Sequence, residues 1–333
     1  MTSNSTDFKI VSTLGPASLN SEFLTTAAAH SQTHFRMNTS HLNIEQIAEY
    51  HFFTSQMLPN KHVDYYLDLP GKKMRIGKLA KDHALNDGDI VHFINVKKSA
   101  YPEIGVPHQV FFKQVEAHDI IFLQDAQIQL IIREKKHDSI ESEVIQGGIL
   151  RSHAGIIINK KFDTFREYLP EQRDYLEIAR KLKIDKLALS FISHKNDIDQ
   201  LRQSCAQISY SPNIIAKIEH PHALKNLESI CMEADEIWYC RGDLGSFITP
   251  RELMEWQNIT IQTVKNLNKA ILIAGQVFQY LTDHPSPTRS EVIHFCHMIQ
   301  QGIDGIVLSD ETAIGKNSIQ AAKAVYSLLE YPK

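Results

Sequence analysis

The segment Asn213–His220, "NIIAKIEH", decides how this chain is read. Its apolar, β-branched start has the composition of a buried strand, yet the run ends on Lys217 and Glu219. Charges in a dry core cost several kcal/mol each unless they are paired or metal-bound, so a chain keeps them there only for a reason. Strand alternation puts Ile215, Lys217 and Glu219 on one face and Ala216 and Ile218 on the other. A barrel strand resolves the conflict, because side chains at its C-terminal end point into a polar mouth while the other face packs on outer helices.

Seven further runs share this character: "FKIVSTLG", "THFRMNTS", "HVDYYLDLP", "DKLALSFIS", "DEIWYCRGD", "KAILIAGQ" and "DGIVLSDE". Segments between them, such as "HALKNLESICMEA" and "RELMEWQNITIQTVKNLN", carry apolar residues at helical spacing. Alternation of this kind predicts parallel βα units, and eight of them predict an α/β fold of the (β/α)8 TIM-barrel type. One interval is too long for a connecting helix. Between "MRIGK" and "DYLEIARKLK" lie strand-like pieces, "DIVHFINV", "QVFFKQV", "DIIFLQDAQIQLIIRE" and "SEVIQGGIL", separated by turns. They predict a small all-β domain over 79–158, inserted after strand 3, with the barrel formed by 1–78 and 159–333; a lid is its natural role. The strand-end position also holds Arg36 and Asn38, Asp68, Arg241 and Asp243, and Glu311. Acids and bases gathered on one rim point to a catalytic mouth, although salt bridges and helix caps use the same residue types.

Composition narrows the classes. With 333 residues, 43% hydrophobic, 22% charged and a net charge of -4, the chain has the profile of a globular protein and no signature of a nucleic-acid or membrane-surface binder. Cys205, Cys231, Cys240 and Cys296 show no CxxC spacing, which argues against zinc and a disulfide framework and fits core thiols in a reducing cytosol. The start "MTSNSTDFKI" has no apolar signal region and no later run reaches the roughly 20 apolar residues of a membrane span, so a cytoplasmic location is expected. The phosphate-loop, GxGxxG and HExxH patterns are absent.

Six segments resemble the pyruvate kinase family, in the family's own order, from about residue 8 to 330. "STLGPAS" resembles its first-strand motif, "RMNTSH" its RxNxSH, "AKIEH" its SKIEN, "RGDLG" its ARGDLG, "PSPTRSE" its PxPTRAE and "LSDETA" its LSGETA. The resemblance implies a barrel with an inserted lid, and a phosphotransferase that moves the phosphoryl group of phosphoenolpyruvate to ADP, giving pyruvate and ATP. It implies Mg²⁺ or Mn²⁺ on Glu219 and Asp243, hard oxygen donors suited to such a cation. Lys217 resembles the lysine that stabilises the transferring group and the enolate, and Arg36 the phosphate-clamping arginine. The backbone amides of Gly242 and Asp243 would hold the substrate carboxylate, while Pro16, His41 and Arg75 match the nucleotide side. Asn38, Ser40 and Asp68 match ligands of a monovalent cation. Lys73, however, stands where potassium-dependent members have glutamate, and Leu69 replaces a threonine, so potassium is not expected to be required. The chain ends after the eighth helix, so the family's C-terminal regulatory domain is missing from it and no sugar-phosphate activation is expected; homo-oligomers remain open.

Two departures bear on turnover. Gly275 takes the place of a threonine whose hydroxyl lies near the transferring group, and "LRSHAGIIINKK" offers His153 and Ala154 where the family has paired lysines. If the backbone at Gly275 has negative φ, Gly275→Thr is expected to speed the chemical step. An enolate-forming lyase or decarboxylase acting on pyruvate-like 2-oxoacids, or a binding-only relative, stays open.

Overall fold

A computed structural model describes residues 8–29, 33–71, 74–124, 127–136, 139–158 and 171–330. Eight parallel strands close into a barrel: β1 (Lys9–Thr13), β2 (Thr33–Asn38), β3 (Val63–Leu69), β4 (Lys186–Leu189), β5 (Asn213–Ile218), β6 (Glu236–Cys240), β7 (Ala270–Ala274) and β8 (Gly305–Leu308). Each strand pairs with its sequence neighbours, and β8 returns to β1 with Lys9 opposite Gly305 and Ser12 opposite Leu308. Helices follow the strands, as in Ile44–Met57 after β2, Lys195–Gln207 after β4 and Arg289–Gln300 after β7. The fold is therefore the α/β barrel that the eight apolar runs predict.

Every strand of the barrel except β2 contributes to one buried cluster: Val11, Tyr66, Ala188, Ile215, Trp238, Cys240, Leu272, Ala274 and Val307. These are the inward positions of alternate residues, so the barrel is filled by side chains rather than open. Ile215 belongs to this layer, and the next inward position on β5 is Lys217, one layer nearer the C-terminal rim. The alternation read in "NIIAKIEH" thus places a lysine on top of an apolar plug.

Two compact units divide the chain: Met1–Gly71, Glu167–Gly242 and Arg251–Lys333 form the barrel unit, Lys72–Arg166 and Asp243–Pro250 the other. The inserted unit differs from the expected bounds 79–158 for a physical reason. Ile76 belongs to its apolar core and Arg75 bridges to Gly155, so its packing begins before residue 79. Its six-stranded sheet runs in the order Ile156–Ile158, Ile120–Leu123, Ile128–Lys135, Ser139–Gln146, Ile90–Ile94, Glu103–Gly105. The piece "QVFFKQV", expected as a strand, forms the helix Gln109–Gln114 instead. Phe111 and Val115 are both fully buried, and their i, i+4 spacing needs a helix to point them the same way.

Candidate active site

At the C-terminal ends of β2, β3, β4 and β5 the barrel unit builds one continuous polar network. Its centre is Asp68 at the end of β3, which is 1% exposed. Arg36 of β2 donates to Asp68 Oδ2 from Nε at 2.7 Å and from Nη2 at 2.6 Å. Lys217 Nζ lies 3.0 Å from Asp68 Oδ1 and 2.9 Å from Oδ2, and 2.9 Å from Glu219 Oε1. Ser190, just past β4, accepts from Lys217 Nζ at 2.8 Å and donates to Asp68 Oδ1 at 2.9 Å. Arg36 reaches on through Nη1 to Thr13 Oγ1 of β1 at 2.9 Å.

Asp68, Arg36 and Lys217 are charged at a cost in desolvation that only their partners offset. Burial pushes Asp68 up, but the charges of Lys217 and Arg36 outweigh it and hold the carboxyl below its ordinary value. Burial presses Lys217 towards neutrality, yet Asp68 and then Glu219 keep the ammonium above its usual value. Arg36 shows the same balance, with Asp68 overcoming the burial cost. The mouth therefore carries two cations, Arg36 and Lys217, both bonded to the one carboxylate of Asp68.

Glu219 is 2% exposed, and its Oε2 accepts the Phe191 backbone N–H at 2.8 Å. Phe191 adopts φ +54°, a left-handed conformation that costs a bulky residue of order 1–3 kcal/mol and that aims its amide at the carboxylate. As a buried carboxylate with two hard oxygens, Glu219 fits a Mg²⁺ or Mn²⁺ ion that keeps water and substrate in its other positions. Among the described residues no group of three or more His, Cys, Asp and Glu side chains is gathered in metal-ligating geometry. Asp243 falls within the short helix Arg241–Leu244 after β6, at the division between the two units.

Two of the three matched monovalent-cation ligands already have partners for their side chains. Asn38 Oδ1 accepts the Ser40 backbone N–H at 3.1 Å, and both Asp68 oxygens are occupied by Arg36, Lys217 and Ser190. Lys73, expected to replace the cation, lies outside the described residues. Pro16 and His41 are exposed in the barrel unit, on the turns after β1 and β2. In the inserted unit Arg75 donates from Nη1 to the His153 carbonyl at 2.9 Å and from its backbone N–H to His108 Nε2 at 3.1 Å.

The proviso attached to Gly275 fails. Its φ is +79°, and a Cβ there would stand 2.8 Å from the Gly242 backbone nitrogen. Glycine is needed for both reasons, so threonine at this position would be strained and would press on the turn after β6. Gly242 and Gly275 are thus brought together by backbone approach. Sequence reasoning missed Ser190 and Thr13, which complete the network; the signal was available, since each follows or closes a barrel strand as Lys217 does.

Residues 5–322 match a family described as pyruvate kinase, barrel domain. The chain is 32% identical over 322 residues to a pyruvate kinase of Thermococcus litoralis, covering 95% of this chain and 67% of that protein. It is 30% identical to a pyruvate kinase of Buchnera aphidicola, covering 95% of this chain and 68% of that one. It is 27% identical to the chloroplastic pyruvate kinase isozyme G of Nicotiana tabacum, covering 96% of this chain but only 57% of that relative.

Proposed function

Because the chain belongs to the pyruvate kinase family, we propose that its barrel mouth passes the phosphoryl group of phosphoenolpyruvate to ADP. The observation that carries this reading is the buried Arg36–Asp68–Lys217–Glu219 network, which keeps two cations fixed and charged in a water-poor site. Phosphoryl transfer involves little covalent chemistry for the protein, and positioning plus charge stabilisation supply most of the acceleration. The P–O bond to the enol oxygen breaks as a P–O bond to the ADP β-phosphate forms. The electron pair left on the enol oxygen gives an enolate, which takes a proton at carbon to become pyruvate. Arg36 clamps the phosphoryl group, and Lys217 stabilises the group in flight and then the enolate oxygen. The Gly242 and Asp243 amides hold the substrate carboxylate. Glu219 and Asp243 would supply oxygens to Mg²⁺ or Mn²⁺, which when bound would neutralise phosphoryl charge. Pro16, His41 and Arg75 are the residues proposed for the nucleotide.

Gly275 and the pair His153 and Ala154 favour a second reading: the same enolate chemistry on a 2-oxoacid without nucleotide. One experiment separates the two. ATP formation from phosphoenolpyruvate and ADP is expected from the parent chain with Mg²⁺, and Lys217→Met should lower it by roughly 100-fold or more while the circular dichroism spectrum is kept. Phosphoenolpyruvate binding with no ATP, together with turnover of a 2-oxoacid, would transfer support to the second reading.

A further inference from the structure

Arg241 is expected at the rim from sequence, yet the phosphotransfer scheme gives it no task. It is 8% exposed, and all its guanidinium contacts run sideways: Nε donates to the Gly275 carbonyl at 2.9 Å, Nη2 to the Gln276 carbonyl at 2.6 Å, and Nη1 meets His294 Nε2 at 2.7 Å. No carboxylate lies within ion-pairing distance of Arg241 among the described residues. Burial is the main pressure on this group, lowering it to about 10, which still leaves it charged at neutral pH. Since a guanidinium has donors and no acceptor, His294 must accept with Nε2 and carry its own proton on Nδ1.

The turn that Arg241 grips is a strained one. Gly275 at φ +79° and Gln276 at φ +54° are consecutive left-handed residues, and the first of them lies against the Gly242 backbone nitrogen. Glycine adopts positive φ freely, whereas Gln276 does so at a cost that its neighbours must offset by constraining the turn. His294 can provide that constraint because its helix, Arg289–Gln300, is itself anchored. Thr288 and Glu291 form a capping box at its start, Glu291 also takes the Tyr280 N–H, and Phe295 packs on Phe278 with ring centroids 5.1 Å apart.

We propose that His294 is a positioning residue: as a neutral acceptor it holds Arg241 across the Gly275–Gln276 turn and thereby fixes the backbone at Gly242, one of the two amides assigned to the substrate carboxylate. The consequence for substrate rests on the phosphotransfer reading, whereas the latch itself does not. Glutamine at 294 can place its Oε1 where Nε2 now accepts; leucine removes the acceptor, and asparagine is too short to reach.

The test uses the full chain as parent, His294→Gln, His294→Leu and His294→Asn, with two readouts: amide hydrogen exchange over 274–278 and phosphoenolpyruvate affinity in the presence of Mn²⁺. Leucine and asparagine should each raise exchange in the turn at least tenfold and weaken phosphoenolpyruvate binding about tenfold, while glutamine restores both to near the parent. Parent-like exchange and affinity in the leucine variant would overturn the proposal, as would a glutamine variant no better than leucine. Should the leucine chain fail to fold, the asparagine and glutamine pair decides by the same criteria. A parent that binds no phosphoenolpyruvate would count against the phosphotransfer reading, and exchange in the turn would then decide the latch alone.

Discussion

At the scale of single residues, the site is an arrangement of charges whose costs are offset locally, and its predictions follow from which partner is removed. Asp68 already neutralises two cations, so its carboxylate has little capacity left for a third. Turnover should accordingly be nearly equal in sodium, potassium or tetramethylammonium buffers at constant ionic strength, and strong activation by potassium alone would refute this. Gly275 gives the opposite of a gain-of-function site. At φ +79° with Gly242 nitrogen 2.8 Å from where a Cβ would be, Gly275→Thr should cost roughly 1–3 kcal/mol of stability and lower ATP formation. Urea unfolding and initial rates check the two halves, and a faster, equally stable variant would show that the turn relaxes. Sequence could supply the residue type at 275 but not its dihedral angle, because φ depends on the close approach of a segment more than thirty positions away. A sequence separation of 53 positions likewise hid the link from Arg241 to His294, which on its own helix reads as an ordinary surface position.

At the scale of elements, the strand ends were legible and the contacts between them were not. Period-two alternation told which face of β5 carries Lys217 and Glu219, since that depends on the strand alone. That Lys217 bonds Asp68 across β4 directly, with Ser190 as a second link between them, depends on strand order and register, which no local pattern encodes. "QVFFKQV" was misread because a short apolar run has no clear period, and only Phe111 and Val115 packing together make it helical. "PSPTRSE" has a structural job as well as a family likeness, for Thr288 and Glu291 cap a helix. At the opposite end of the barrel, Asp64 of β3 lies 2.5 Å from Lys186 of β4 and 3.2 Å from His34 of β2. Burial alone would raise its carboxyl, but hydrogen bonds from His34 and Lys186 and their charges hold it well below the ordinary value. A depressed carboxyl contributes stability that is present above its unfolded value near 3.9 and is lost as pH falls through the folded value. Asp64→Asn should therefore destabilise the chain by about 1–2 kcal/mol at pH 7, a figure reduced for partial solvent screening, with the gap narrowing below about pH 4. Urea midpoints of both proteins at pH 7, 5 and 3.5 measure it; a gap that does not shrink with acid would mean that packing, not charge, is what the substitution removes.

At the scale of the whole molecule, two cores have to form, and the sequence announced both by switching from βα alternation to closely spaced short strands. The barrel unit closes around its inward layer of Val11, Tyr66, Ile215, Trp238 and their neighbours. The inserted unit has an apolar cluster of its own, in which Val91, Phe93, Phe111, Leu130 and Ile140 are fully buried. Phe93 and Phe111 meet edge to face with centroids 5.3 Å apart, an arrangement that favours aromatic pairs beyond their buried area. Removing one ring leaves a cavity that the sheet around it cannot fully collapse into, so Phe93→Ala should cost about 3–5 kcal/mol of the inserted unit's stability. Because the two clusters share no residue, the loss should be local in the native state. Hydrogen exchange resolved along the chain is the measurement: amides in Ile90–Ile94, Ile128–Lys135 and Ser139–Gln146 should exchange many times faster in Phe93→Ala, while those of β5, β6 and β7 keep parent rates. Equal acceleration in the barrel strands would mean that the chain opens as one cooperative body, and the insertion would then be part of what holds the barrel closed.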